Sequence, residues 1–138
     1  MRASGLHHMG YVVPRMDSAL RRFVDEGATV LVEPIEDPIQ RVTVALLSVD
    51  ADVPVELVAP IPGVDGPITA RLQRGGGLDH LCFTVDDVAA ALAEDAERGA
   101  LVVCEPVFAV AFNRTVGFVQ RRSGMVVEFI SAQEVPAP

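Results

Sequence analysis

Tryptophan is absent from the sequence, which has one tyrosine and six phenylalanines. A core built from it must therefore be packed mainly from valine, leucine and alanine. Cysteine is scarce too: Cys82 and Cys104 are the only two. Their spacing matches neither a zinc knuckle nor a redox pair, so reduced thiols without a structural disulfide are expected. No apolar run approaches the roughly 18 residues that span a bilayer. The opening stretch MRASGLHHMG lacks the apolar core of a signal peptide. A cytoplasmic location, with no membrane partner, is the resulting expectation. Positive charge is the last shortage. Eleven Lys and Arg stand against nineteen Asp and Glu, for a net charge of −8. That excludes a general affinity for nucleic acid, which needs a basic face, but not a local site for an anionic small molecule. What remains is 138 residues, half of them apolar, with mean hydropathy +0.35. Such a chain is ordered and long enough to bury the core of one domain.

The organisation comes from an internal repeat. HMGYVVPRMDSALRRFVDEGATVLVEPI, from His8, aligns without a gap on HLCFTVDDVAAALAEDAERGALVVCEPV, from His80, an offset of 80 − 8 = 72. His8 matches His80, Gly27-Ala28 matches Gly99-Ala100, and Glu33-Pro34 matches Glu105-Pro106. The register persists to Val55-Glu56 and Val127-Glu128, where 128 − 56 is again 72.

Each half reads as strand, helix, then three strands. Strands are expected at 8–13 and 78–85, from their β-branched and aromatic content and alternation. Amphipathic helices are expected near 16–26 and 87–98, the second with Asp86 as N-cap, with Gly27 and Gly99 as stops. Strands then follow near 29–33, 41–49 and 53–59, and near 101–105, 114–120 and 125–131. Residues 60–77 hold Pro60, Pro62, Gly63, Gly66 and Pro67 and form a link, with a helical turn across 68–73. The expected fold class is α+β. It has two tandem βαβββ modules, 6–59 and 78–131, forming a curved eight-stranded mixed sheet around a metal-binding cleft, as one domain over 1–138.

Alternate residues of a strand share a face. His80 therefore shares its side with Cys82 and Thr84, and His8 with Gly10 and Val12. Glu56 sits with Pro54 and Val58, and Glu128 with Val126 and Ile130. Under pseudo-twofold symmetry two histidines and two glutamates converge on one cleft. Taken singly, a histidine at a strand start is more often a capped or partly exposed residue, and a lone glutamate a solvent-facing one. Recurrence of both, in register, within apolar strands favours a ligand set. Imidazole suits Zn, Ni, Co and Fe, and carboxylates suit Mn. Two carboxylates cancel the charge of one divalent ion. Four protein ligands on an octahedral ion leave two positions for water or substrate. Such an ion polarises a carbonyl and stabilises an enolate oxygen, and a ligand glutamate can take the proton next to that carbonyl. His7, whose repeat partner is Asp79, faces the other side and reads as a surface or packing residue. Cys82 reads as cleft wall and Cys104 as core. Gln40, Arg41, Asn113 and Arg114 lie near strand starts, where they would either serve turns or hold an anionic tail.

The segments HMGYVV, VPVELVAP, GGGLDHLCFTVDD and GMVVEFIS resemble the vicinal oxygen chelate superfamily, over nearly the whole chain. That group includes glyoxalase I, methylmalonyl-CoA epimerase, extradiol dioxygenases and bleomycin-resistance proteins. In look the chain is nearest to the methylmalonyl-CoA epimerases. The resemblance implies metal ligands His8, Glu56, His80 and Glu128, with Glu128 doubling as catalytic base. It implies one divalent ion (Co, Ni, Zn, Mn or Fe), a small-molecule substrate such as a CoA or carrier-protein thioester, and a homodimer. The implied activity is isomerisation or epimerisation by proton transfer next to a carbonyl. A glyoxalase-like lyase and an antibiotic-binding resistance protein are the alternatives. A dioxygenase, needing only two histidines and one carboxylate, ranks low. The chain departs from the epimerase pattern in three places. Asp79-His80 stands for His-His, Gln120-Arg121 stands for His-Pro, and the strand 43–47 lacks the carboxylate assigned to reprotonation.

Overall fold

The computed structural model describes residues 5–138. They form two compact units. One is 8–79; the other is 80–138 together with 5–7. The chain runs β1 (Gly5–Val12), α1 (Met16–Asp25), β2 (Thr29–Asp37), β3 (Val42–Ser48), β4 (Val55–Pro60) and α2 (Thr69–Gln73). It continues β5 (Gly77–Val85), α3 (Val88–Glu97), β6 (Leu101–Ala109), β7 (Arg114–Gln120) and β8 (Val126–Ser131). No helix among the described residues is long and apolar enough to cross a membrane.

The two units are built alike. In the first, strands lie in the order β2-β3-β4-β1; in the second the order is β5-β8-β7-β6. In each, the outer three strands form an antiparallel meander and the first strand pairs in parallel with the last. The helix after the first strand carries the chain across one face of the sheet and buries it. Met16, Ala19, Leu20 and Phe23 of α1 pack on Val13, Leu47, Leu57 and Ala59. Val88, Ala91 and Leu92 of α3 pack on Val85, Val119, Val127 and Phe129. Leu47 and Val119, Leu57 and Phe129, and Leu20 and Leu92 each differ by 72 positions, so the repeat extends into the cores. The α+β class and the βαβββ order are as the sequence implies.

Two local expectations are corrected. The cap of α3 is Asp87, whose carboxylate accepts the Ala90 N–H at 3.0 Å, rather than Asp86. The helix starts one residue later than expected, which puts Asp87 three positions before Ala90, the spacing a cap needs. β2 and β6 also run past Glu33-Pro34 and Glu105-Pro106 to Asp37 and Ala109. Proline lacks an N–H but is tolerated at bulges on edge strands. The register against the neighbouring strand shifts between Val32 and Ile35 and between Cys104 and Val107, where these prolines lie.

The modules differ in how closely the helix seats. α1 has no fully buried residue, whereas α3 buries Val88, Ala91 and Leu92. Gly117 on β7 stands where the first module has Ala45. A Cβ at Gly117 would lie 2.8 Å from Leu92 Cδ1 and 3.1 Å from Val88 Cγ1. Gly117→Val should therefore overpack the second core and destabilise it by about 1–3 kcal/mol, read as a lower urea midpoint at unchanged slope.

Candidate functional site

In each unit the sheet face opposite the helix carries a buried histidine and a buried glutamate. In the first unit the parallel register sets Gly10 of β1 opposite Glu56 of β4. Glu56 in turn faces Leu46 of β3, and Leu46 faces Val32 of β2. In the second unit the same row reads Cys82, Glu128, Phe118 and Cys104. Directly paired residues point to one side of a sheet. The histidine lies two residues before Gly10 or Cys82, so it shares that side and reaches diagonally to the glutamate.

The geometry follows from that register. His8 Nε2 stands 3.5 Å from Glu56 Oε1, and His80 Nε2 stands 3.1 Å from Glu128 Oε1. All four side chains are buried: His8 is 0 % exposed, Glu56 6 %, His80 5 % and Glu128 2 %. Carboxylates are almost never buried unless paired or bound to a metal. Each half thus places one imidazole nitrogen and one carboxylate oxygen together in an apolar setting. Those are donor types that hold a divalent ion of borderline hardness.

The neighbours shape each pair differently. The Phe118 ring stands edge-on to His80, centroids 5.4 Å apart, and limits how the imidazole can turn. The sequence offers no sign of this beyond Phe118 standing where the first module has Leu46. Cys82 is fully buried in a cluster with Ala109, Val116 and Ile130. Cys104 is only half-buried, because its strand is the edge of the sheet, so the expectation of a core cysteine is corrected. Burial, then the charges of Glu128 and Glu105, push the Cys104 thiol above its ordinary range. His7 packs its ring edge-on against Phe112 at 5.3 Å, which fits a packing residue.

The residues considered for an anionic tail serve the loops instead. Gln40 donates from both its backbone N–H and its side-chain amide to the buried Asp37 carboxylate. Arg41 and Asn113 occupy left-handed turn positions, with φ of 59° and 53°. The Arg41 guanidinium donates to the Asp65 carbonyl, and that of Arg114 to the carbonyls of Ser131 and Ala132.

Thiol chemistry checks this arrangement. In native protein a thiol reagent should modify Cys104 alone, more slowly at neutral pH than it modifies an exposed cysteine. The rate should climb with pH, because a raised pKa delays the reactive thiolate. Cys82 should react only after unfolding. Rapid labelling of both thiols in native protein contradicts the assigned burial.

Comparison with known proteins finds curated relatives, a similar solved structure and a matching family. Over 100 residues the chain is 29 % identical to an ethylmalonyl-CoA/methylmalonyl-CoA epimerase of Cereibacter sphaeroides, covering 71 % of this chain and 73 % of that protein. Over 91 residues it is 31 % identical to the mitochondrial methylmalonyl-CoA epimerase of Mus musculus. That match covers 64 % of this chain and half of the mouse protein. The crystal structure of methylmalonyl-CoA epimerase from Mycobacterium tuberculosis superposes with a TM-score of 0.79 at 25 % identity, over 99 % of this chain and 90 % of that one. Residues 7–118 match the family described as the Glyoxalase/Bleomycin resistance protein/Dioxygenase superfamily, and the chain belongs to it.

Proposed function

We propose that the protein is a divalent-metal-dependent epimerase that moves a proton at the carbon next to the carbonyl of an acyl-CoA thioester. The observation behind this reading is the same buried contact made twice, His8 with Glu56 and His80 with Glu128. In this proposal the four side chains hold one ion together. The donor set fits: two imidazoles and two carboxylates match a divalent cation in charge as well as in ligand type. Without such an ion, two carboxylates are held in apolar strands at a cost. The bound ion would supply polarisation of the thioester carbonyl, which makes the neighbouring C–H acidic. The choice of an acyl-CoA thioester is supported by the names of the relatives, which are CoA epimerases.

The chain's own groups do the rest. In this reading Glu128, buried beside His80, takes the proton from one face of the α-carbon, and water delivers a proton to the opposite face of the resulting enolate. Cys82 and Phe118 flank that carboxylate in the row, and the proton it takes exchanges with solvent between turnovers. Strand β3 presents Val44, Ala45, Leu46 and Leu47, all buried and none able to carry a proton.

The test is exchange of the substrate's α-hydrogen in heavy water, followed by mass spectrometry of methylmalonyl-CoA or ethylmalonyl-CoA. Wild-type protein should incorporate one deuterium and interconvert the epimers. Glu128→Gln should still fold and bind metal through its amide oxygen, yet slow the exchange by about 10²–10⁴-fold. Exchange undiminished in Glu128→Gln would remove the base from the proposal. A wild type that exchanges no acyl-CoA at any metal loading would remove the reaction.

A further inference from the structure

A second feature of the 80–138 unit has no part in the site described above. On the helix side of its sheet a crevice of about 250 Å³ opens between α3 and the strands. Phe83, Val85 and Phe129 form its apolar floor. An adjoining crevice of about 260 Å³ continues it toward Ala100 and shares Asp95, Arg98 and Arg121. Three arginines ring the pair: Arg98 at the end of α3, and Arg121 and Arg122 in the turn between β7 and β8.

These arginines are held differently. Arg121 donates from Nε to Asp95 at 3.0 Å, which fixes its plane and leaves both terminal nitrogens for another acceptor. Arg98 is largely in solvent, and its contact with Glu94 is long at 3.6 Å, too weak to compete with a ligand. Arg122 forms no ion pair among the described residues. Its guanidinium lies over Gly99, where an added Cβ would come within 2.5 Å of Nε. Gly99, at φ +102°, thus ends the helix and also makes room for this side chain. Three guanidiniums against Glu94 and Asp95 leave the crevice positive in a chain of net charge −8.

The repeat indicates that this is no inherited accident of the fold. Subtracting 72, Arg98, Arg121 and Arg122 correspond to Glu26, Val49 and Asp50. The first module therefore has two acidic residues and an apolar one where the second has three arginines. Planar guanidinium forks suit phosphate oxygens, and two ring faces suit a flat heterocycle.

The crevice is also reachable from the candidate site. His80 pairs with Val126, and Gln120 pairs with Val126 on its other side, so the row holding His80 ends at the turn that bears Arg121 and Arg122. A chain laid over this turn passes from the His80–Glu128 side of the sheet to the helix side. The distance is about one layer thickness, on the order of 10 Å, which the pantetheine arm of coenzyme A exceeds. We propose that Arg98, Arg121 and Arg122 bind the phosphorylated nucleotide end of the CoA thioester, with the base against Phe83. The proposal rests on the CoA-thioester reading above and extends it to a carrier-binding site.

The experiment compares two thioesters of one acyl group, on coenzyme A and on phosphate-free pantetheine, with metal-loaded protein. Arg98→Ala and Arg122→Ala should each lower kcat/KM for the CoA thioester about tenfold, through KM, as expected for loss of one charge-assisted hydrogen bond. The pantetheine thioester should be unaffected. Adenosine 3′,5′-bisphosphate should bind wild type by calorimetry and bind the double variant at least tenfold more weakly. Equal losses on both thioesters, or bisphosphate binding unchanged in the double variant, overturn the proposal. Inorganic phosphate binding as tightly as the bisphosphate overturns the assignment to the nucleotide. If wild type turns over neither thioester but still binds the bisphosphate through these arginines, the reaction fails and the nucleotide site stands.

Discussion

A buried carboxylate held against a buried imidazole is the constraint around which each half of this protein is arranged. The parallel pairing of first and last strand puts Glu56 opposite Gly10 and Glu128 opposite Cys82. The histidine two residues upstream then meets its glutamate without any long loop. Placing the helix on the far face keeps this side of the sheet open for chemistry. Putting the acidic group on a central strand, with apolar strands beyond it, removes water from around it. A one-residue slip in either parallel pair would send the glutamate to the helix side and leave the histidine without it.

The two halves share this plan and differ in what surrounds it. The first row is Gly10, Glu56, Leu46 and Val32: small or aliphatic, with no group able to transfer a proton besides the glutamate. The second row is Cys82, Glu128, Phe118 and Cys104, with an aromatic ring set against its histidine. The second helix seats more deeply because β7 has a glycine beneath it. The arginines at the β7–β8 turn also belong to the second half alone. One half is thus plain, and the other is elaborated around its glutamate and the nearby turn.

Much of this was legible because the repeat acts as a control within one sequence. An isolated histidine in LDHLCFTVDD is ambiguous; its register with His8, and the same offset between Glu56 and Glu128, points to the two buried contacts that the structure holds. Strand and helix positions were set by alternation and by Gly27 and Gly99, and most ends fall within a few residues. The failures were local. Whether Asp86 or Asp87 caps α3 depends on where the helix axis enters the core. The strands expected to end at 33 and 105 run on past Pro34 and Pro106, because an edge strand tolerates proline at a bulge. The turn residues Gln40, Arg41 and Arg114 have the right chemistry for an anion but spend it on carbonyls and on Asp37. The arginine crevice was invisible because its members come from a helix end and a distant turn, which no spacing rule joins.

The proposed function needs His8, Glu56, His80 and Glu128 to hold one divalent ion together. It is tested most directly by titrating metal-free protein with Co(II) and following the visible absorption and the stoichiometry. One ion per chain is expected, with loss of that same single binding event in both His8→Ala and His80→Ala. Two independent ions per chain, or a site that survives either substitution, would contradict it.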